Sequence, residues 1–360
     1  MTLRPFVIAG LFWGLCGCDS TTDGPSTGDA GDAGQTAQPS EEPDGGDASC
    51  INTMGTQRVA PLFLSETGLY SDIADKTLHE AVKGFRPLYE LWSDGAAKER
   101  FIYLPECGVI DSSDMNDWSF PVGTRFYKEF SVDGRRIETR LVMRTGPDRH
   151  DFVYASYLWN EDETEAERAP PEGIMGAKGT AHHIPSEANC RRCHGSHEKR
   201  GGRPSRGLGF SAMQLNHDGE GWTLDDLIED GKLSQPPTVT IGFPGEGATQ
   251  DALGYLHVNC GTCHNDSEDG LPQTDMNLWL DIGITQVENS SIYQTAVGQK
   301  NKIFNDQHVT ARVEPGDPAS SAVIYRMGQR GNNAQMPPIA SDRVDHDGIE
   351  AVSAWIESLP

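Results

Sequence analysis

The chain has 360 residues, 36% of them hydrophobic, and a formal net charge of −25; such a length accommodates two or three domains of roughly 100–150 residues each. So acidic a composition excludes sequence-independent binding to nucleic acid, which needs a basic face to displace counterions. It also disfavours docking of the bare surface on an anionic leaflet, and it favours basic protein partners.

The first eighteen residues, MTLRPFVIAGLFWGLCGC, hold one early cation, Arg4, and an apolar run from Phe6 to Leu15. That run is too short to span a bilayer core of about 30 Å, so it reads as a cleaved export signal. Leu15-Cys16-Gly17-Cys18 resembles the bacterial lipobox, where the cysteine behind a small residue is diacylated and becomes the first mature residue. Cys18 is the expected lipidation site, and an ordinary signal peptide with incidental cysteines is the alternative. Residues 19–49 follow with eight acidic residues, no Lys or Arg and almost no large apolar side chain. Such a segment cannot bury enough surface to offset its ordering entropy, and is expected to be a disordered acidic linker. Together these features imply a domain tethered by lipid to a bacterial membrane, facing the periplasm or the cell surface.

Residues 50–167 read as β-rich and sandwich-like. ERFIYLP, TRFYKEFSVDGRRIETRLVMRTG and DFVYASYLWN alternate aromatic or β-branched residues with charged ones, and Asp133-Gly134 falls between two such runs as a hairpin turn. The polar alternates Arg125, Lys128 and Arg140 read as solvated faces of the sheet. In FRPLYELWSDGAAKERF the simplest reading is a core Trp92 with a turn at Asp94-Gly95; a ligand groove lined by Trp92, Asp94 and Lys98 is the alternative. Cys50 and Cys107 are the two thiols left once the signal, the lipid and the repeated motif below have taken the other six. In an oxidising compartment they are expected to pair, closing a loop worth about 3–4 kcal/mol; two unrelated buried thiols are the alternative.

The first of two Cys-x-x-Cys-His pentads, Cys190, Cys193 and His194, lies in the segment 168–250; the second, Cys260, Cys263 and His264, lies in 251–360. Two thiols one helical turn apart add across the vinyl groups of haem, and the adjoining imidazole ligates its iron. Zinc gives no reason for a His directly after each pair, and a thioredoxin-like redox pair needs a βαβ setting that neither pentad has. The expected cofactors are therefore two covalently bound haem c groups. QDALGYLHVNCGTCHN reads as a helical approach to the second pentad, and HDGIEAVSAWIESLP as an amphipathic C-terminal helix with Ile349, Val352, Ile356 and Leu359 on one stripe. Between them, Met336 is followed by Pro337 and Pro338, a stiff loop suited to holding a thioether on iron, with Met327 the other candidate.

From about Asp251 to Pro360 the chain resembles a class I cytochrome c domain, carried by Cys260, Cys263, His264, Met336 and the terminal helix. More widely, LWSDGAAKERF, WSFPVGTRFYKEFSVDGRRIETRL, HHIPSEANCRRCHG, LGFSAMQLNHD and YLHVNCGTCHN resemble a family of bacterial secreted dihaem c-type cytochromes, many of them lipoproteins. The resemblance implies an α+β chain in which a β-rich region precedes a mostly helical haem-binding region. For the first haem the sixth ligand is expected to be His182, with His183, Met213, His217 or an open position as alternatives. Electron transfer between periplasmic donor and acceptor proteins is the expected function. A dihaem peroxidase-type enzyme with one open iron, or a glycan- or partner-binding β module wired to haems, are the alternatives.

Overall fold

The alternating segments fold into antiparallel strands. A short ribbon pairs β1 (Tyr70–Asp72) with β2 (Thr77–Leu78), and β3 (Val82–Gly84), β4 (Ala97–Tyr103), β5 (Arg125–Val132), β6 (Arg135–Arg144), β7 (Phe152–Trp159) and β8 (Ala166–Arg168) form one six-stranded meander in chain order. The β5–β6 turn is Asp133-Gly134, both with positive φ (50° and 76°), as a two-residue hairpin with right-handed strand twist requires. These relations come from a computed structural model that describes residues 58–148, 150–194, 207–266, 274–302, 304 and 309–360, all inside one compact unit, Gly46–Pro360. The expected signal peptide (1–18), acidic linker (19–49), Cys18 and Cys50 lie outside the described residues. Cys107 is disulfide-bonded, and its partner also lies outside them.

Register decides which side chains share a face, because neighbours along a strand point to opposite sides. One face presents Tyr127, Leu141, Met143, Ala155 and Tyr157, which pack with Leu64, Leu69 and Trp159 into a closed core. Arg125 belongs to this face and is buried, donating from Nη1 to the Thr67 carbonyl at 2.7 Å with its guanidinium over the Tyr103 ring. The opposite face carries the row Ile102, Phe126, Val142, Tyr154 and, one step on, the row Arg100, Lys128, Arg140, Ser156. The expectation that Arg125, Lys128 and Arg140 mark solvated faces is thus corrected: Arg125 is buried against the earlier segment at Thr67, and Lys128 and Arg140 are half-buried in the wall of a cavity that later segments of the chain close over.

What covers the second face is not another sheet. Among the described residues its apolar row packs against Phe210, Leu215, Trp222, Leu224 and Leu227, from α2 (Ala212–Leu215), α3 (Leu224–Glu229) and the loops beside them. Those helices follow α1 (Glu187–His194) in the chain. Phe210 makes edge-on ring contacts with Phe85 (4.9 Å) and Phe126 (5.9 Å), so the hydrophobic core runs without a break from the strands into the segment beyond residue 168. The molecule is mixed α and β, with a β-rich first part and helices after it.

The remaining helices are α4 (Ala248–Asn259), α5 (Ser291–Ala296), α6 (Ala322–Met327) and α7 (His346–Ser358). Helices α4 and α7 pack through Ala252, Leu253, Leu256, Val352, Trp355 and Ile356, the stripe expected from the sequence. Gly348 makes their approach possible, since a Cβ there would lie 2.3 Å from the Tyr255 ring. No helix among the described residues is long and apolar enough to cross a membrane.

Candidate functional site

The first pentad is entirely helical. Cys190, Cys193 and His194 form the last turn and a half of α1, whose i,i+4 pair Glu187–Arg191 closes at 2.5 Å, and the His194 ring lies 5.5 Å from that of Tyr154 on the sheet. The second pentad continues α4 as a turn, with the N–H groups of Cys263 (3.0 Å) and His264 (2.8 Å) donating to the Cys260 carbonyl. Its first variable position has to be glycine: a Cβ on Gly261 would sit 2.6 Å from the His257 carbonyl oxygen and 2.7 Å from that of Leu278.

All four pentad thiols are free. Burial pushes the Cys190 and Cys193 thiols up to about 11 and Cys260 to about 12, with the charge of Cys263 adding to the rise at Cys193. Unmodified, they are therefore neutral thiols in a largely apolar setting. Cys190, Cys193, His194 and Cys263 line one cavity of about 410 Å³, between the sheet, the end of α1 and the loop at Pro337-Pro338. Its size falls in the range of cofactor pockets, roughly 300–1,000 Å³. Among the described residues no group of three or more His, Cys, Asp or Glu side chains is arranged to hold a metal ion.

The residues fit a haem carried by each pentad. Burial lowers His264 to about 4, so its ring is neutral at pH 7 and offers a nitrogen lone pair. Its Nδ1 is enclosed without a hydrogen bond of good geometry, the Met276 backbone being the group that favours its proton. Cys260 packs against the α4–α7 core while Cys263 faces the cavity, so the pentad spans the boundary between them. Arg326, whose charge acts on His264, donates from Nε to the Ala334 carbonyl (2.9 Å), and the Met336 N–H returns to the Arg326 carbonyl (3.1 Å). This ties the loop carrying Met336 to the helix facing the second pentad. Met336 is half-buried and Pro337, Pro338 and Ile339 line the cavity after it, whereas Met327 is buried in the α4–α7 core.

The sixth-ligand candidates of the first haem stand differently. His182 is buried and lines the cavity, but its Nε2 lies 2.7 Å from Glu138 Oε2 and its ring leans on Phe130. Ligating iron through Nε2 would mean giving up that carboxylate. His183 accepts the Gly176 N–H at Nδ1 (2.7 Å) and holds Nε2 3.5 Å from Asp342. His217 has both nitrogens engaged, with the Arg86 carbonyl (2.6 Å) and the Gly219 N–H (2.9 Å). Met213 is buried in the α4–α7 core.

Two features had little signal in the sequence. Glu138 is completely buried; although burial alone would raise it, Arg140 and His182 hold its carboxyl down to about 2, with Arg140 bidentate at 2.8 and 2.9 Å. The segment Trp92–Asp94 is a clamp: Trp92 donates its N–H to Asn259 at the end of α4 (2.8 Å) and its indole N–H to the Arg343 carbonyl (3.2 Å). Asp94 takes the backbone N–H groups of Asp342 and Arg343. Each reading of that stretch holds in part: Asp94-Gly95 is a turn with positive φ but Trp92 is half-buried and not in the core, and Trp92 and Asp94 line the cavity while Lys98 does not. No protein-family model, curated protein or solved structure matches the chain.

Proposed function

We infer that this chain is an exported, lipid-anchored dihaem c-type cytochrome that passes single electrons between periplasmic redox proteins. One observation carries the reading: two Cys-x-x-Cys-His segments, far apart in sequence, bring free thiols to a common cavity, Cys190 and Cys193 from the first and Cys263 from the second. When bound, haem supplies a one-electron ferric/ferrous couple. The chain's part is to hold each group covalently through Cys190 and Cys193 or Cys260 and Cys263. It presents the imidazoles of His194 and His264 to iron, brings Met336 to the second site, and excludes water with the aromatic face of the sheet.

A second reading has its own support. His182, which lines the cavity, is paired with the fully buried Glu138, an imidazole–carboxylate arrangement that an open first iron in a peroxidase-type enzyme would need for acid–base chemistry. Carbon monoxide titration of the reduced protein separates the two. Electron transfer predicts no binding at stoichiometric gas, whereas one equivalent bound per chain, with peroxide turnover, would make the enzyme the better description.

A further inference from the structure

The cationic row on the cavity face of the sheet has a composition that folding alone does not explain. Arg100, Lys128 and Arg140 are direct cross-strand partners on three adjacent strands, an arrangement in which like charges repel. Glu90 meets Arg100 and Lys98 at 3.2 Å each, and Glu138 meets Arg140. Lys128, between them, has no carboxylate within ion-pair distance among the described residues, Glu90 acting on it from farther off, and its ammonium lies 5.4 Å from the centre of the Phe130 ring. Lys98, Arg100, Lys128 and Arg140 thus face two carboxylates, Glu90 and Glu138, an excess of two positive charges in a protein of net charge −25. The other acids lining the cavity, Asp94, Glu172 and Asp342, come from loops, and Asp94 is already taken by backbone N–H groups. Burial, then Arg100, Lys98 and Arg140, push the Lys128 ammonium well below the usual lysine range, the signature of a cation lacking its counter-charge.

We propose that Lys128, flanked by Arg100 and Arg140, binds a propionate carboxylate of a haem held in this cavity, so that this row of the sheet is the cofactor's anion-recognition surface. The inference rests on the haem reading above. It explains why a half-buried strand position in a cavity wall carries lysine: two propionates bring the two negative charges that the row lacks, and a charge-assisted hydrogen bond in a screened site fixes the orientation of the macrocycle. It also assigns the β-rich part of the chain a role in holding the cofactor.

The test uses the exported holoprotein and its Lys128→Met and Lys128→Arg variants. With two haems retained by pyridine haemochrome assay, Lys128→Met should shift the propionate bending bands in resonance Raman. It should also move one haem's reduction equilibrium about tenfold toward the ferric form, equivalent to ~59 mV for a one-electron couple. Lys128→Arg should restore both. Unmoved propionate bands and potentials in Lys128→Met, with both haems present, would overturn the proposal and leave the haem reading standing. A potential that responds to added phosphate while the propionate bands stay fixed would overturn it as well, by making the occupant a solvent anion. Should Lys128→Met fail to fold, transfer of the wild type into deuterated water decides: the propionate bands of one haem must shift, and their insensitivity contradicts the proposal. Absence of haem from the wild type would overturn both readings together.

Discussion

Glu138 is the residue whose chemistry is most exposed to test. It is fully enclosed, shared between Arg140 and His182, and held at about 2, against an ordinary value of 4.5. Because its folded value is depressed, the stability it contributes is complete above about pH 4.5 and is lost as pH falls toward 2. Glu138→Gln should therefore cost about 3 kcal/mol at neutral pH, since it leaves the half-buried Arg140 guanidinium and the buried His182 without their charged partner. Urea unfolding at a series of pH values should show the gap between wild type and variant closing as pH falls through that window; a gap that persists to pH 2 would assign Glu138 a purely steric role. At this scale the sequence is legible where chemistry depends on local spacing, as in Cys190, Cys193 and His194. It is opaque where a partner comes from a distant strand. Nothing around Glu138 announces burial and nothing around Lys128 announces a cavity, because alternation along β5 and β6 looks the same whether the polar face meets water or later segments of the chain.

Among the elements, the strands from β4 to β7, the hairpin at Asp133-Gly134, and helices α4 and α7 all follow from periodicity and turn chemistry. The layer over the sheet does not, since it is built from the short helices α2 and α3 and from loops whose apolar residues show no sustained period. That is why a sandwich was the natural expectation and helices and loops are the outcome. The turn joining α4 to the second pentad gives a sharp test. Gly261→Ala drives a Cβ into two backbone carbonyls that cannot move independently, an overpacking cost of ~1–3 kcal/mol. Thermal unfolding should fall in temperature, and haem stoichiometry should drop from two toward one, with the surviving haem on the peptide containing Cys190. Gly134→Ala is the control, because a Cβ there meets nothing within 4 Å and only the positive φ is strained. Equal haem retention in both variants would show that the geometry of this turn does not govern attachment.

The whole molecule joins its two pentads through one folded unit. The sheet supplies the cavity wall, α1 and the turn after α4 supply thiols and imidazoles, and Trp92 and Asp94 clamp the strands to the chain around residues 259 and 342–343. Such an arrangement places whatever the pentads carry near each other, which serves electron relay as readily as it serves a site with one labile iron. Potentials, axial ligation and the choice of redox partners all depend on covalent attachment at both pentads. The most direct measurement is the intact mass and pyridine haemochrome spectrum of the exported protein after denaturation and acid–acetone extraction, beside Cys193→Ala and Cys263→Ala. Two haems per chain that resist extraction, with one attachment weakened in each variant, is the result predicted here. A chain whose mass shows four unmodified thiols and no haem, or one that carries zinc instead, would contradict it.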